Sequence, residues 1–358
     1  MKKGILEEDI ENITKRISTE AKKLEGKTLL ITGGAGFLGK YFILTIDHLN
    51  KHQFKKPCRV ISVDNFVTGS AYPIAEGPAF KAIQHDVSKP LNIDEPVHFI
   101  LSAAGIASPK FYRKFIIETI DVGVFGTKNM LELAKEKKVE SILFFSSSEV
   151  YGDPDPQFVP TPENYNGNVS CVGPRSNYDE SKRLGETLCV AYHQVYNVPV
   201  KAVRPFNVYG PLMRLDDYRV IPNFIANILQ NKPIPVYGAG NNTRTFCYVT
   251  DAMTGFFKVL LCDYNGEAFN VGNENDEINM SALGEIVSEI FENKPKISHV
   301  LGPTDAYAKA DPKRRCPDLS KIKTKLGYET TVDLKTGIKR FVQWVEETDQ
   351  KKTIFLDA

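Results

Sequence analysis

The chain has 358 residues, 42% of them hydrophobic and 25% charged, with a formal net charge of +1. That length is more than one average domain needs, so a large α/β domain with a smaller appended lobe is expected. The balanced charge argues against a nucleic-acid or membrane-surface partner, six cysteines without a C-x-x-C pair read as reduced thiols, and no apolar run is long enough for a signal peptide or a span. A cytoplasmic enzyme is the expectation.

Residues 1–25 carry Ile10, Ile13, Ile17 and Leu24 at helical spacing among many charges. This predicts an amphipathic helix that packs on the domain or on a second subunit, with a solvated disordered segment as the alternative. From Lys27 onward short β-rich runs alternate with helix-length segments: TLLIT, RVISVD, FKAIQHD, HFILSAAG, SILFFSSS and VKAVRPF. Such alternation implies βαβ units, hence a doubly wound, mostly parallel sheet of Rossmann-like type. The dinucleotide domain is placed at 26–206, with returning segments near 240–275. After Phe206 the chain becomes rich in Pro, Gly and Asn, with helical patterns at Ser281–Phe291 and Leu334–Glu347. Residues 207–358 are therefore assigned mainly to a substrate-binding lobe.

The first strand runs into GGAGFLGK, which puts Gly33, Gly36 and Gly39 between a strand and a helix. Glycines are needed there for a tight turn, for approach of a pyrophosphate to the helix N-terminus, and for close packing of helix on strand. The second strand ends in Asp64, a carboxylate suited to adenosine ribose hydroxyls and repulsive to a 2′-phosphate, which favours NAD over NADP. Phe37, Leu38, Asn65 and Val87 are counted with these as cofactor contacts. Asp86 is placed to meet the adenine, or else to cap a helix. Ala103 and Ala104 are small enough to let the backbone approach the cofactor.

The fifth run ends in SSSEVYG, and NYDESKR follows it. Tyr178 and Lys182 stand at i and i+4, on one helix face one turn apart. A neighbouring ammonium is expected to lower the Tyr178 pKa towards working pH, so that the phenolate can take a proton from a sugar hydroxyl.

The glycine loop, the Ser-rich strand end and the Tyr178/Lys182 pair together resemble the extended short-chain dehydrogenase/reductases of the nucleotide-sugar epimerase and dehydratase group, over roughly residues 27–345. Within it, SSSEVYGDP, VGPRSNYDESKRLGETLCVAYH, NVYGPLMRLDDYRV, VYGAGNNTRTFCYVTD and DPKRRCPD are most similar to the UDP-glucuronate decarboxylase branch. The resemblance implies NAD as a catalytic cofactor, a UDP-sugar substrate, no metal, and a homodimer formed through two helices per subunit. It makes Tyr178 the base for oxidation at C4, Lys182 its electrostatic partner, and Ser147 a hydrogen-bond partner of the same sugar oxygen. Ser148 and Glu149 match the pair that marks the decarboxylases. Arg315 matches an arginine that reaches the carboxylate region, and Asn207, Tyr237 and Arg244 fall at UDP-holding positions.

The implied reaction is oxidation at C4, loss of carbon dioxide from the β-keto acid, reprotonation at C5 and return of the hydride. A 4,6-dehydratase, in which Glu149 takes the C5 proton, and a 4-epimerase, in which it is idle, are the alternatives. A non-enzymatic dinucleotide-binding protein predicts loss of Ser147, Tyr178 and Lys182, which are all present. Three departures from the family pattern stand out: Gly123 where asparagine is usual, Leu212 where arginine is usual, and a Tyr165 to Val169 loop without the family tryptophan.

Overall fold

The computed structural model describes residues 3–301 and 311–348; residues 1–2 of the N-terminal extension and residues 302–310 and 349–358 of the expected second lobe lie outside the described residues. Seven parallel strands form the main sheet: β1 (Thr28–Thr32), β2 (Arg59–Asp64), β3 (Phe80–Gln84), β4 (Phe99–Ser102), β5 (Ser141–Phe145), β6 (Val200–Pro205) and β7 (Ala268–Val271). Their spatial order is β7-β6-β5-β4-β1-β2-β3. The first six coincide with the β-rich runs of the sequence. The seventh comes from beyond Phe206, so the chain leaves the sheet after β6 and returns to it at β7.

The strands are apolar throughout because both faces are covered. Leu29 and Ile31 of β1 join one core cluster and Leu30 joins the other, as the two-residue period of a strand requires. The same split separates Phe99 and Leu101 from Ile100 in β4. β1 pairs with β2 on one side and β4 on the other, so the strand order reverses between β1 and β4. A crevice at the carboxyl ends of these strands is where open α/β sheets bind ligands.

Helix α1 (Ile5–Arg16) settles the alternatives for the N-terminal segment in favour of packing on the domain. Ile5, Ile10, Ile13, Ile17 and Leu24 are buried in the larger core cluster, each contributing about 1.5–3 kcal/mol by transfer from water. Asp9 on the same face is buried as well. It accepts hydrogen bonds from Tyr41 Oη (3.2 Å) in helix α2 (Phe37–His52), from Tyr248 Oη (2.7 Å), and from Arg340 Nη2 (2.7 Å) near the chain's end.

Two further helices position the site. Helix α3 (Thr127–Lys137) is preceded by Ile116–Asp121 and a π-helical turn at Val122–Gly126. Helix α4 (Ser176–Tyr196) packs beside that turn and ends where Asn197 adopts the left-handed conformation. Gly123 lies at this contact: a Cβ there would meet the Ser181 side chain at 2.6 Å. The glycine is thus fitted to Ser181, and its role is close packing.

Candidate active site

The crevice beyond β1 and β4 is a cavity lined by Gly33, Gly36, Phe37, Leu38, Gly39, Asp64, Asn65, Asp86, Val87, Ala103 and Ala104. The structure therefore gathers on one wall the residues that the sequence marks for a dinucleotide, Tyr178 and Lys182 apart. Gly33 has φ +75°, and a Cβ on it would lie 2.9 Å from Ala104 Cα; a side chain would both strain the turn and fill the cradle. Asp64 Oδ2 accepts the Ala35 backbone N–H at 3.0 Å and Oδ1 that of Phe66 at 2.8 Å. Burial pushes its pKa up, against the opposing backbone donors.

Asp86 Oδ1 accepts from Ser88 N at 3.0 Å. It closes a turn, and no helix follows it directly, so the helix-cap alternative does not hold. Leu212, in the left-handed region at φ +68°, lines this cavity together with Arg214 and Arg219 from the segment that follows β6.

β5 ends at Phe145, and the three serines leave it. Ser147 sits at the N-cap of a short 3-10 turn, Ser148–Tyr151, with its hydroxyl accepting Glu149 N at 3.3 Å. The same hydroxyl stands near enough to the Tyr178 phenol to lower its pKa. Tyr178 is buried and stacks on Tyr112, with ring centroids 5.4 Å apart. Lys182 Nζ donates to Phe145 O at 2.7 Å and stands 5.8 Å from the Tyr178 ring centroid. The helical spacing sets Tyr178 and Lys182 on one face of α4, against the end of β5 that carries Ser147.

Its electrostatic consequence differs. Burial drives the Tyr178 pKa up to about 12, with Ser147 pulling it down and the Glu149 and Asp179 carboxylates pushing it further up. Burial also lowers Lys182 to about 8. The expected lowering of Tyr178 is therefore corrected: in the protein by itself desolvation of the phenolate decides the direction of its shift.

Glu149 points into a cluster of arginines. Its Oε2 accepts from Arg175 Nη2 and, at 2.6 Å, from Arg315 Nη2. Burial alone would raise its pKa, but the guanidinium groups of Arg175 and Arg315, with Arg244 behind them, hold it below the usual carboxylate range. Arg244 Nη2 donates to Asp311 Oδ2 at 2.9 Å, and Arg175 Nη1 lies 3.6 Å from Asp311 Oδ1. Asp179 Oδ2 is 3.6 Å from Arg175 Nε, and burial together with the Glu149 charge pushes its pKa up.

Arg175, Asp179 and Asp311 escaped the sequence reading. Arg175 and Asp179 stand at i and i+4 on either side of Tyr178, a spacing that marks an ion pair at the start of the catalytic helix. Nothing local announces Asp311. Ser148 is buried beside Glu149 in the 3-10 turn.

The remaining second-lobe residues are spread wider. Asn207, at φ +39°, donates from Nδ2 to Thr245 O at 2.8 Å. Tyr237 ends the short strand Ile234–Tyr237 and is 47% exposed, an available aromatic face on the lobe's surface. Arg244, expected at a pyrophosphate, also reaches the Glu149 cluster through Asp311. In the loop that lacks a tryptophan, Tyr165 packs against Phe158 with centroids 4.8 Å apart.

Comparison with known proteins follows the same lines. A sequence model of the NAD dependent epimerase/dehydratase family matches residues 29–272. UDP-glucuronic acid decarboxylase 5 of Arabidopsis thaliana is 41% identical over 313 residues, which span 87% of this chain and 86% of the relative. UDP-glucuronic acid decarboxylase 1 of Xenopus tropicalis is 37% identical over 321 residues, 89% of this chain and 72% of the relative. Among solved structures, the epimerase Mth375 from Methanothermobacter thermautotrophicus superposes with a TM-score of 0.81 at 26% identity, covering 96% of this chain and 99% of its own. The dTDP-glucose 4,6-dehydratase DesIV from Streptomyces venezuelae, with NAD and TYD bound, gives 0.76 at 25% identity, covering 90% and 97%.

Proposed function

This chain belongs to the NAD dependent epimerase/dehydratase family, and from that premise we propose that it converts UDP-glucuronate to UDP-xylose and carbon dioxide through a UDP-4-keto sugar. The observation that carries the proposal is the meeting of Glu149 and Arg315 with the Ser147/Tyr178 pair: a carboxylate-handling cluster adjoins an oxidation site.

The cavity fits NAD, because its cradle is one that a single Cβ at Gly33 would fill and its acidic wall at Asp64 suits unphosphorylated ribose. The cofactor, when bound, supplies a cationic ring that accepts a hydride and later returns it. Phe37, Leu38 and Gly39 begin α2 and present its N-terminal backbone to a pyrophosphate. Asn65, Asp86, Val87, Ala103 and Ala104 line the remainder of that wall.

Tyr178 removes the proton of the C4 hydroxyl, with Ser147 holding the same oxygen and Lys182 fixing the phenol's surroundings through its bond to Phe145 O. Oxidation leaves a ketone β to the C5 carboxylate, and the electrons of the breaking C–C bond pass into that carbonyl as carbon dioxide leaves. C5 is then reprotonated and C4 reduced, so the cofactor ends as it began. Ser148 and Glu149 face the departing carboxylate, and Arg315 orients it. Asn207, Tyr237 and Arg244 are assigned to the UDP part.

A cytoplasmic homodimer belongs to the same proposal. Its support is the set of free cysteines and the exposed apolar side chains Ile117, Phe125, Leu184 and Val195 along the Ile116–Asp121 segment, the π turn and α4. Light scattering on Ile117→Asp should report a monomer.

The test of the reaction is incubation of the purified protein with UDP-glucuronate, following product mass and carbon dioxide. Unchanged mass in a new epimer, or loss of water, would sink decarboxylation.

A further inference from the structure

Three guanidinium groups gather around Glu149. Arg175, Arg244 and Arg315 are each 7% exposed, and they face the ionised Glu149, the half-buried Asp311, and Asp179, whose burial favours its neutral form. A buried guanidinium is costly unless its donors find acceptors. A second observation points to the same need: Arg315 Nε is buried with no hydrogen-bond partner among the described residues. Arg315 thus offers Nη2 to Glu149 and keeps a further donor for another oxygen. A guanidinium fork with one edge taken and one N–H open is suited to a carboxylate.

The position matters as much as the charge. Glu149 donates its backbone N–H to Ser147 Oγ, and both residues stand close enough to Tyr178 to shift its pKa, Ser147 down and Glu149 up. If C4 of the sugar sits at Tyr178, C5 and its carboxylate fall beside the Glu149 carboxyl. Two carboxylates cannot both be ionised at one spot without strong mutual repulsion.

We propose that Arg175 and Arg315 form a carboxylate-exchange clamp: in the free protein they hold Glu149, and the C5 carboxylate of a nucleotide-bound uronic acid takes over this clamp, freeing Glu149 beside the group that leaves. This rests on the decarboxylase reading above. The clamp makes Arg175, which contacts Glu149 directly and bridges to Asp179 and Asp311, a determinant of uronate over hexose. A neutral C6 hydroxymethyl group has no charge with which to displace Glu149, so a UDP-hexose leaves the clamp closed.

Glu149 is then a competitor for its own substrate, which gives the proposal an unusual sign. Removing its charge should tighten binding. In a Tyr178→Phe background, which stops turnover, titration calorimetry on the NAD-loaded protein should show Glu149→Gln binding UDP-glucuronate about tenfold or more tighter, equal to about 1.4 kcal/mol, with UDP-glucose affinity nearly unchanged. Equal or weaker UDP-glucuronate binding in that variant overturns the clamp.

A second variant guards against a folding artefact. Arg175→Gln should reduce the ratio of UDP-glucuronate to UDP-glucose affinity about tenfold, while NAD affinity and the melting temperature stay close to the parent's; an unchanged ratio overturns the proposal independently. Failure of the reaction assignment looks different. There the otherwise unmodified protein releases no carbon dioxide from UDP-glucuronate, whereas the binding preferences of the two variants still follow the clamp.

Discussion

The two halves of the site are built on opposite principles. Ser147, Tyr178 and Lys182 come from one strand end and one helix, are held by a backbone carbonyl and a stacked ring, and are governed by desolvation, which moves Tyr178 up to about 12 and Lys182 down to about 8. Glu149, Arg175, Arg244, Asp311 and Arg315 come from segments far apart in the chain and are governed by charge, which overrides the same burial and holds Glu149 down. Equal burial thus yields opposite outcomes, because one set has a single cation that is itself desolvated and the other has three guanidinium groups that cannot be neutralised. The first suits proton and hydride movement shared by many reactions of the family, and the second handles a formal negative charge.

That contrast is sharpened most strongly by Tyr178→Phe. It should reduce both reduction of bound cofactor and carbon dioxide release by roughly 10³–10⁴-fold, the range of a lost general base, as read by nicotinamide absorbance and gas release. Retention of either would break the assignment of the oxidation half. Glu149→Gln should slow carbon dioxide release by roughly 10²–10³-fold with less effect on the hydride step, so reduced cofactor accumulates in a single turnover. Equal slowing of both would merge the two halves.

Next in size is a pH effect on stability. Lys182 has a folded pKa of about 8, below its ordinary 10.5, so between those values the unfolded chain binds a proton that the folded one does not. Stability must therefore rise with pH across that window, by on the order of a few kcal/mol. Lys201, buried far from the chemistry with Nζ donating to Ser141 Oγ at 2.9 Å, is lowered to about 8 by the same burial. Lys182→Met and Lys201→Met should each remove part of the rise in a denaturant series from pH 7 to 10.5, and only the first should touch activity; a slope unchanged in both refutes the desolvation account.

The smallest effect is expected at Gly123→Asn, which restores the usual family residue but drives its Cβ into Ser181. It should cost about 1–3 kcal/mol in a thermal melt, as overpacking does. Ser181→Gly in the same chain should recover most of that loss.

What could be read before folding was whatever repeats locally. Six strands announced themselves as apolar runs, the dinucleotide wall as glycines at a strand-to-helix turn, and the oxidation pair as an i, i+4 spacing, because each is fixed by backbone geometry over a few residues. The docking of residues 5–24 was open, since an amphipathic pattern does not say which surface it covers; Asp9 reaching Tyr41, Tyr248 and Arg340 supplies that answer.

The sequence by itself thus determined the sheet, the cofactor class and the oxidation chemistry of this protein. Only the tertiary structure decided the charge state of that chemistry and the company Glu149 keeps. Spacing can place Lys182 beside Tyr178, yet the sign of a pKa shift depends on how much water each group loses. And Glu149, Arg175, Asp311 and Arg315 meet across a separation of up to 166 residues, a distance over which charge has no pattern until the chain has closed on itself.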